Sequence, residues 1–154
     1  MVSDPSLKNV SQQGVKKMTL PEFAALTGSG GRIVMVTAYD TSSARLADGA
    51  DIDVILVGDS AAMTMLGHNS TVPVTMDEMV MMTRAVTRAT RHALVVADMP
   101  FGAYQASDEP AVVNAGRLVT DGGADAEKVE GAGRVRRRVR AILAAGIQSS
   151  GSSA

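Results

Sequence analysis

The sequence predicts an α/β fold built on a parallel β-sheet that is covered on both faces. Three segments, 32–38, 53–58 and 92–98, are apolar and β-branched along their whole length, which is the pattern of strands buried on both sides. Segments with helix-start signals separate these strands, so that strand and helix alternate along the chain. Parallel strands need such crossover helices, because each strand must return to the same end of the sheet.

A helix is predicted ahead of the first strand. In "TLPEFAAL" (19–26), Thr19 and Glu22 have the spacing of a capping box, and Pro21 lies in the first turn, where proline is tolerated. The glycines of "TGSGG" end this helix. Residues 1–17 are polar and are expected to form a mobile N-terminal arm.

The later helices are predicted from the residues at their first turns. Each begins with a good N-cap residue, and two of them have acids in the first turn. These segments are "DTSSARLADGA" (40–50), the helix from Met76 to Thr90 opened by the capping box of Thr75 and Glu78, and "SDEPAVVNAGRLVTDGG" (107–123).

The C-terminal part adds one more strand and one more helix. "ADAEKVEG" (124–131) is a weaker fourth strand, and the valines of "GRVRRRVRAILAAG" recur at helical spacing. The arginines of that run are expected on the solvated faces of an amphipathic helix. The order is one helix followed by about four βα units over residues 18–147. The Ser/Gly-rich tail, 148–154, is not expected to supply an apolar strand.

Composition limits the classes of function. The chain has 154 residues, 45% of them hydrophobic, which is enough for one domain with a sizeable core. Its net charge of −1 gives no electrostatic basis for binding nucleic acid or a membrane surface. It has no cysteine and no run of 18 apolar residues. We therefore expect a soluble cytoplasmic protein that binds neither nucleic acid nor a membrane.

Polar side chains gather where the predicted strands end. Asp59 and Ser60 follow the second strand, Asp98 follows the third, and Lys128 and Glu130 lie at the fourth. Ligands of parallel α/β folds bind at these carboxyl ends. Two carboxylates from neighbouring strands suit Mg²⁺, and a lysine beside them suits an anionic substrate. Acids at strand ends also commonly cap the next helix, so spacing alone leaves both interpretations open.

Three other polar residues near these ends have simpler interpretations. Tyr39 and Asp40 follow the first strand and are expected to shape its loop and to cap the next helix. His68 lies in a loop, where it is either solvated or a neighbour of the substrate.

Several longer strings carry a resemblance to a known family. They are "VTAYD", "DVILVGDS", "GHNSTVPVTMDEM", "RAVTRAT", "ALVVADMPFGAYQAS" and "GADAEKVEG". Together, from about Met18 to Ile147, they closely resemble ketopantoate hydroxymethyltransferases. The resemblance implies the N-terminal half of a (β/α)₈ TIM barrel of the phosphoenolpyruvate/pyruvate type. It also implies transfer of a hydroxymethyl group from 5,10-methylenetetrahydrofolate to 3-methyl-2-oxobutanoate, which gives 2-dehydropantoate for pantothenate biosynthesis.

The resemblance also implies roles for individual residues. Asp59 and Asp98 would be Mg²⁺ ligands, and Glu130 would bind the metal or orient one of its waters. Ser60, with the Asp59 backbone, would hold the carboxylate of the 2-oxo acid, and Lys128 would contact the substrate. The family's general base is a glutamate in the second half of the barrel, so no catalytic base is expected within this chain.

The missing half leaves three hypotheses. The first is an enzyme of this family that is truncated at its C-terminus. The second is a catalytically incomplete half-barrel that binds metal and 2-oxo acid or associates with itself, because four strands cannot close a barrel that typically takes about 250 residues. A lyase of the same superfamily is the third, and the lack of a lyase-type cysteine motif argues against it.

The sequence departs from the family pattern at three positions. Asp51 and Ala62 stand where glycines are expected. Glu127 stands before Lys128, where the family usually has an apolar residue, and a carboxylate would be costly there if it were buried alone. A carboxylate at position 127 therefore bears directly on where Lys128 is placed.

Overall fold

Within the described residues, eleven elements of secondary structure form a single parallel sheet with its helices. The computed structural model describes residues 16–131 and 133–152. In chain order the elements are α1 (Leu20–Gly28), β1 (Met35–Thr37), α2 (Thr41–Asp48), β2 (Val54–Val57), α3 (Ala61–Thr64), α4 (Met76–Thr87), β3 (Leu94–Asp98), α5 (Asp108–Thr120), β4 (Ala126–Glu130), α6 (Arg134–Ala144) and β5 (Ser149–Ser152).

The strands lie side by side in the order of the sequence, β1-β2-β3-β4-β5, and every neighbouring pair is parallel. Each of the first four strands is followed by helical structure that returns the chain to the start of the next strand. The carboxyl ends of all five strands therefore lie on the same side of the sheet. The polar residues of the sequence gather at these strand ends. The predicted parallel α/β architecture is confirmed.

The main hydrophobic core lies between the sheet and helices α2, α4, α5 and α6. Alternate strand residues point to opposite faces, and the set that points toward these helices is fully apolar on β2 and β3. The buried residues of this core include Ile55, Val57, Val95, Ala97, Val129, Ala44, Met79, Leu118 and Ile142.

The opposite face of the sheet carries a smaller apolar cluster, which we call the inner face. It consists of Val54, Leu94, Val96 and Ala126, and α1 packs against it with Leu20 and Phe23. The same residues line a cavity of about 250 Å³. Met35 on β1, which lines the same cavity, is 50% exposed. The inner face is therefore only partly covered by the described residues.

The element boundaries differ from the sequence-based expectation in several places. The predicted N-terminal arm lies outside the described residues, except for Lys16 and Lys17. Within 61–64 a short helix replaces the expected loop. In the tail, 149–152 form β5, although these residues are serine and glycine. Strand pairing uses backbone groups, such as the Glu127 N–H that donates to the Gln148 carbonyl at 3.1 Å, and does not require apolar side chains.

Within the described part of the chain, no helix is both long enough and apolar enough to cross a membrane.

Candidate active site

A cleft opens at the carboxyl ends of β2, β3 and β4. It has a volume of about 290 Å³ and brings Asp59, Asp98 and Glu130 together. The remaining lining residues come from the loops after β2 and β3 and are Thr71, Val72, Met99, Phe101, Tyr104 and Gln105. The structure therefore gathers at one site the acids that the sequence placed at separate strand ends.

Asp98 is the central carboxylate of this cleft. It ends β3, is only 5% exposed, and is paired in register with Lys128 on β4. Its Oδ1 accepts a hydrogen bond from Lys128 Nζ at 2.7 Å, and its Oδ2 accepts the Asp59 N–H at 3.2 Å. Burial raises the pKa of Asp98 more than these two donors lower it.

Lys128 bridges two carboxylates. Its ammonium contacts Asp98, and it also lies 2.8 Å from Glu130 Oε1. Although burial alone would lower the pKa of Lys128, the hydrogen bonds to Asp98 and Glu130 raise it, so the ammonium form is favoured. The unusual neighbour Glu127 does not displace Lys128, because adjacent residues of a strand point to opposite faces.

Asp59 and Ser60 follow β2 after Gly58. The Ser60 hydroxyl makes no capping hydrogen bond to α3. Instead it lies 2.8 Å from the hydroxyl of Tyr39, which belongs to the loop after β1. The sequence predicted only a loop-shaping role for Tyr39, and this contact was missed. Asp40 caps α2 as predicted, through the backbone N–H groups of residues 42 and 43.

The alternative that the strand-end acids only cap helices does not apply to Asp98. The N-cap of the next helix, α5, is Ser107, nine residues further along the chain. Asp98 uses its carboxylate oxygens on Lys128 and on the Asp59 backbone instead. Its position is therefore set by the cleft and not by the following helix.

Tyr104 is a member of the site that the sequence analysis did not single out. It is 5% exposed, and its hydroxyl donates to the Glu130 carbonyl at 2.9 Å and accepts the Glu130 N–H at 3.3 Å. Burial is the main reason that the pKa of Tyr104 is raised. The only sequence signal was its place in the string "MPFGAYQ" after Asp98. His68 is exposed and is absent from the cleft lining.

The charges of the cleft are not balanced by its own side chains. The three carboxylates of Asp59, Asp98 and Glu130 face one ammonium, so two negative charges remain when all groups are ionised. Among the described residues, no group of three or more His, Asp or Glu side chains is arranged to hold a metal ion. Mg²⁺ commonly takes one or two carboxylates and completes its shell with water and substrate oxygens. Asp59 and Asp98, which line the same cleft, fit that donor set, and metal ligation by them stays a prediction.

Comparisons with known proteins identify sequence relatives of this chain. The family described as ketopantoate hydroxymethyltransferase matches residues 17–152. A 3-methyl-2-oxobutanoate hydroxymethyltransferase of Moorella thermoacetica is 59% identical over 131 residues, which are 85% of this chain and 49% of the relative. The enzyme of the same name from Thermobifida fusca is 52% identical, over 86% of this chain and 47% of the relative. The chain thus spans about half the length of the curated relatives it matches.

Solved structures share the fold at low sequence identity. Phosphonopyruvate hydrolase, solved in complex with oxalate and Mg²⁺, has a TM-score of 0.73 and 16% identity, over 88% of this chain and 53% of that protein. A 2,3-dimethylmalate lyase of the PEP mutase/isocitrate lyase superfamily has a TM-score of 0.65 and 17% identity, over 86% of this chain and 52% of the lyase. The chain therefore has about half of the fold of these proteins, in agreement with the predicted fold class.

Proposed function

The chain belongs to the ketopantoate hydroxymethyltransferase family, and we propose that its cleft binds 3-methyl-2-oxobutanoate together with Mg²⁺. The reaction served is hydroxymethyl transfer from 5,10-methylenetetrahydrofolate, which gives 2-dehydropantoate. The observation that carries this proposal is the cleft itself, which Asp59 and Asp98 line at the ends of neighbouring strands, with the Lys128 ammonium bonded to Asp98.

In this proposal Asp59 and Asp98 hold the metal, and Glu130 orients one of its waters. When bound, Mg²⁺ supplies Lewis-acid polarisation of the 2-oxo group. The Ser60 hydroxyl donates a hydrogen bond to the substrate carboxylate. The Asp59 N–H donates to the same carboxylate once it has given up its hydrogen bond to Asp98. Lys128 neutralises the anionic substrate as a point charge. These residues bind and orient, and we assign none of them as the general base that removes the C3 proton.

Calorimetry of the 154-residue chain tests this proposal. We expect 3-methyl-2-oxobutanoate to bind when Mg²⁺ is present and not when it is removed by a chelator. Asp98→Asn keeps the shape of the side chain but removes its charge, and it should weaken this binding at least about tenfold. Asp77→Asn is the matched control, because Asp77 is an exposed acid that pairs with Arg117 outside the cleft.

A wild type that binds no oxo acid would contradict the proposal, and so would either of two further results. One is oxo-acid binding that does not depend on Mg²⁺, and the other is equal binding by the Asp98→Asn and Asp77→Asn variants. Thermal unfolding of both variants shows whether each is folded at the temperature of the titration.

A second candidate function is binding without catalysis, in a half-barrel that pairs with a second copy of itself. It is favoured by the partly covered inner face and by the exposed apolar side chains of Val34 and Met35 at the β1 edge. Parallel sheets are normally covered on both faces, so such a face favours association.

A further inference from the structure

One arginine of α6 departs from the pattern of its neighbours. The run "RVRRRVR" predicted arginines on solvated faces, and Arg137 fits this prediction with a side chain that is 77% exposed. The side chain of Arg138 is only 11% exposed. A guanidinium is rarely buried to this extent unless its donors are satisfied.

Arg138 donates to consecutive carbonyl oxygens of the loop between β3 and α5. Its Nε donates to the Tyr104 carbonyl at 3.2 Å, and its Nη2 donates to the Ala106 carbonyl at 3.1 Å and to the Gln105 carbonyl at 3.4 Å. Its Nη1 pairs with the Asp108 carboxylate at the start of α5. The loop is thus held by a single side chain over three residues in a row.

The carbonyl before these three is held as well. Asn114 Nδ2, on α5, donates to the Ala103 carbonyl at 2.8 Å. Four consecutive carbonyl oxygens, 103–106, therefore accept hydrogen bonds from side chains of α5 and α6. Loop backbone is normally solvated, so this arrangement fixes a segment that would otherwise be free to move.

The held segment is a wall of the cleft. Tyr104 and Gln105 line it, and the Tyr104 hydroxyl is bonded to both backbone groups of Glu130. A continuous path of contacts therefore runs from Arg138 on α6, through Tyr104, to Glu130 at the end of β4.

We propose that Arg138 is a positioning residue that fixes the β3–α5 loop, 99–107, and through Tyr104 the end of β4 at the cleft. The role of the cleft in binding a 2-oxo acid rests on the proposed function, whereas the clamp on the loop rests on the contacts of Arg138 alone. Arg138 touches neither metal nor substrate in this proposal.

The chemistry of the side chain explains why an arginine suits this place. A guanidinium presents five N–H donors in a planar fork, so it can bond several carbonyls and a carboxylate at once. Burial raises the pKa of Asp108, but the hydrogen bonds from Arg138 and Arg137 lower that pKa by more than burial raises it. The ionised carboxylate is therefore favoured. A lysine would keep the positive charge beside Asp108 but could not span the carbonyls.

Amide hydrogen exchange of the 154-residue chain, followed by mass spectrometry, tests the clamp without any ligand. Arg138→Met should raise the exchange rate of peptides covering 102–107 about tenfold, because several charged-donor hydrogen bonds are lost together. Arg138→Lys should raise it nearly as much, since the ion pair alone does not hold the loop. Arg137→Met is the matched control, as it removes the other partner of Asp108 and should leave the loop protected.

Exchange in 102–107 that is unchanged in Arg138→Lys would overturn the proposal, as would equal exchange in Arg138→Met and Arg137→Met. If Arg138→Met does not fold, the Arg138→Lys variant decides in the same way.

Oxo-acid titrations on the same proteins separate the two proposals. If the wild type binds no oxo acid, the proposed function fails while the exchange result still decides the clamp. If the wild type binds, Arg138→Lys should weaken binding several-fold and Arg137→Met should not.

Discussion

At the scale of single residues, Gly58 shows how closely the groups of the cleft approach one another. A Cβ at this position would lie 3.0 Å from Ser60 Oγ and 3.5 Å from Asp98 Oδ2. The Ser60 hydroxyl is already held at 2.8 Å by Tyr39. The glycine thus leaves room for the Ser60 hydroxyl and the Asp98 carboxylate, which the proposed function requires close together.

Gly58→Ala should therefore impair binding more than folding. We expect the free energy of unfolding to change by no more than about 1 kcal/mol, because the backbone at Gly58 is not in the left-handed region. Binding of 3-methyl-2-oxobutanoate should fall about tenfold, because the Ser60 hydroxyl must shift away from the new methyl group. Denaturant unfolding and calorimetry measure the two effects separately.

Gly28→Ala is the matched control, since a Cβ at Gly28 meets nothing within 4 Å. Equal oxo-acid binding by the two alanine variants would show that the space at Gly58 is not needed.

The residues of the cleft differ in how far the sequence could predict them. Asp98 and Lys128 come together because they end neighbouring parallel strands, and that register follows from strand order. Tyr39 and Tyr104 reach the site from loops, whose paths depend on tertiary contacts such as those of Arg138. Periodicity carries no information about such paths, so these two contacts could not be predicted.

At the scale of elements, β4 contains a buried carboxyl on the face opposite to the cleft. Glu127 is 0% exposed, and it is paired in register with Ser149 of β5. Burial raises the pKa of Glu127 to about 7, although a hydrogen bond with Ser149 lowers it. The unfavourable free energy of burying a charged carboxylate thus leads Glu127 to prefer its neutral, protonated form.

This preference makes stability depend on pH. A carboxyl with a folded-state pKa above its unfolded value binds more protons when folded, so stability is highest below the unfolded pKa and falls as pH rises. For Glu127 the fall should extend from about pH 4.5 to about pH 7 and amount to about 3 kcal/mol. Urea unfolding at pH 5 and pH 8 should show it in the wild type.

Glu127→Gln, which cannot titrate, should lose this share of the pH dependence and be the more stable protein at pH 8. Asp98, whose pKa is also raised, contributes with the same sign and is present in both proteins, so the difference between them isolates Glu127. The same pH dependence in both proteins would show that the Glu127 carboxyl does not titrate in this range.

The elements themselves were predictable where a local signal was strong. The capping boxes at Thr19 and Thr75 form as the sequence predicted, and the apolar runs form β1, β2 and β3. The polar strand β5 was not predictable, because it is held by pairing with β4 and a serine-rich segment has no hydrophobic pattern. Local sequence thus predicts elements that bury their own side chains, and misses those held only by a neighbour.

At the scale of the whole molecule, the open sheet raises the question of what covers its inner face. In the described residues, β1 and β5 each have a single neighbouring strand. A two-fold axis running along the strands would place β1 of each copy beside β5 of the other in parallel orientation. The two inner faces would then meet, and the apolar side chains of β1 would be buried. The second candidate function is therefore that of a two-fold symmetric dimer.

Light scattering of the 154-residue chain tests that dimer. We expect a mass about twice the 15.9 kDa of one chain. Val36→Lys places a charge in the middle of β1, where Val36 is 38% exposed, and a lysine on an edge strand opposes pairing with another chain. This variant should therefore shift toward the monomer while its circular dichroism spectrum is unchanged.

Leu46→Lys is the matched control, because Leu46 is an apolar side chain that is 77% exposed on the helix α2 and not on an edge strand. A wild type that stays monomeric over a wide concentration range would contradict the dimer. So would equal association of the two lysine variants, since the contact would then not involve β1. If the dimer forms and binds 3-methyl-2-oxobutanoate without turning it over when 5,10-methylenetetrahydrofolate is added, the second candidate holds, because a second copy supplies only another set of the same cleft residues, none of which we assign as the general base.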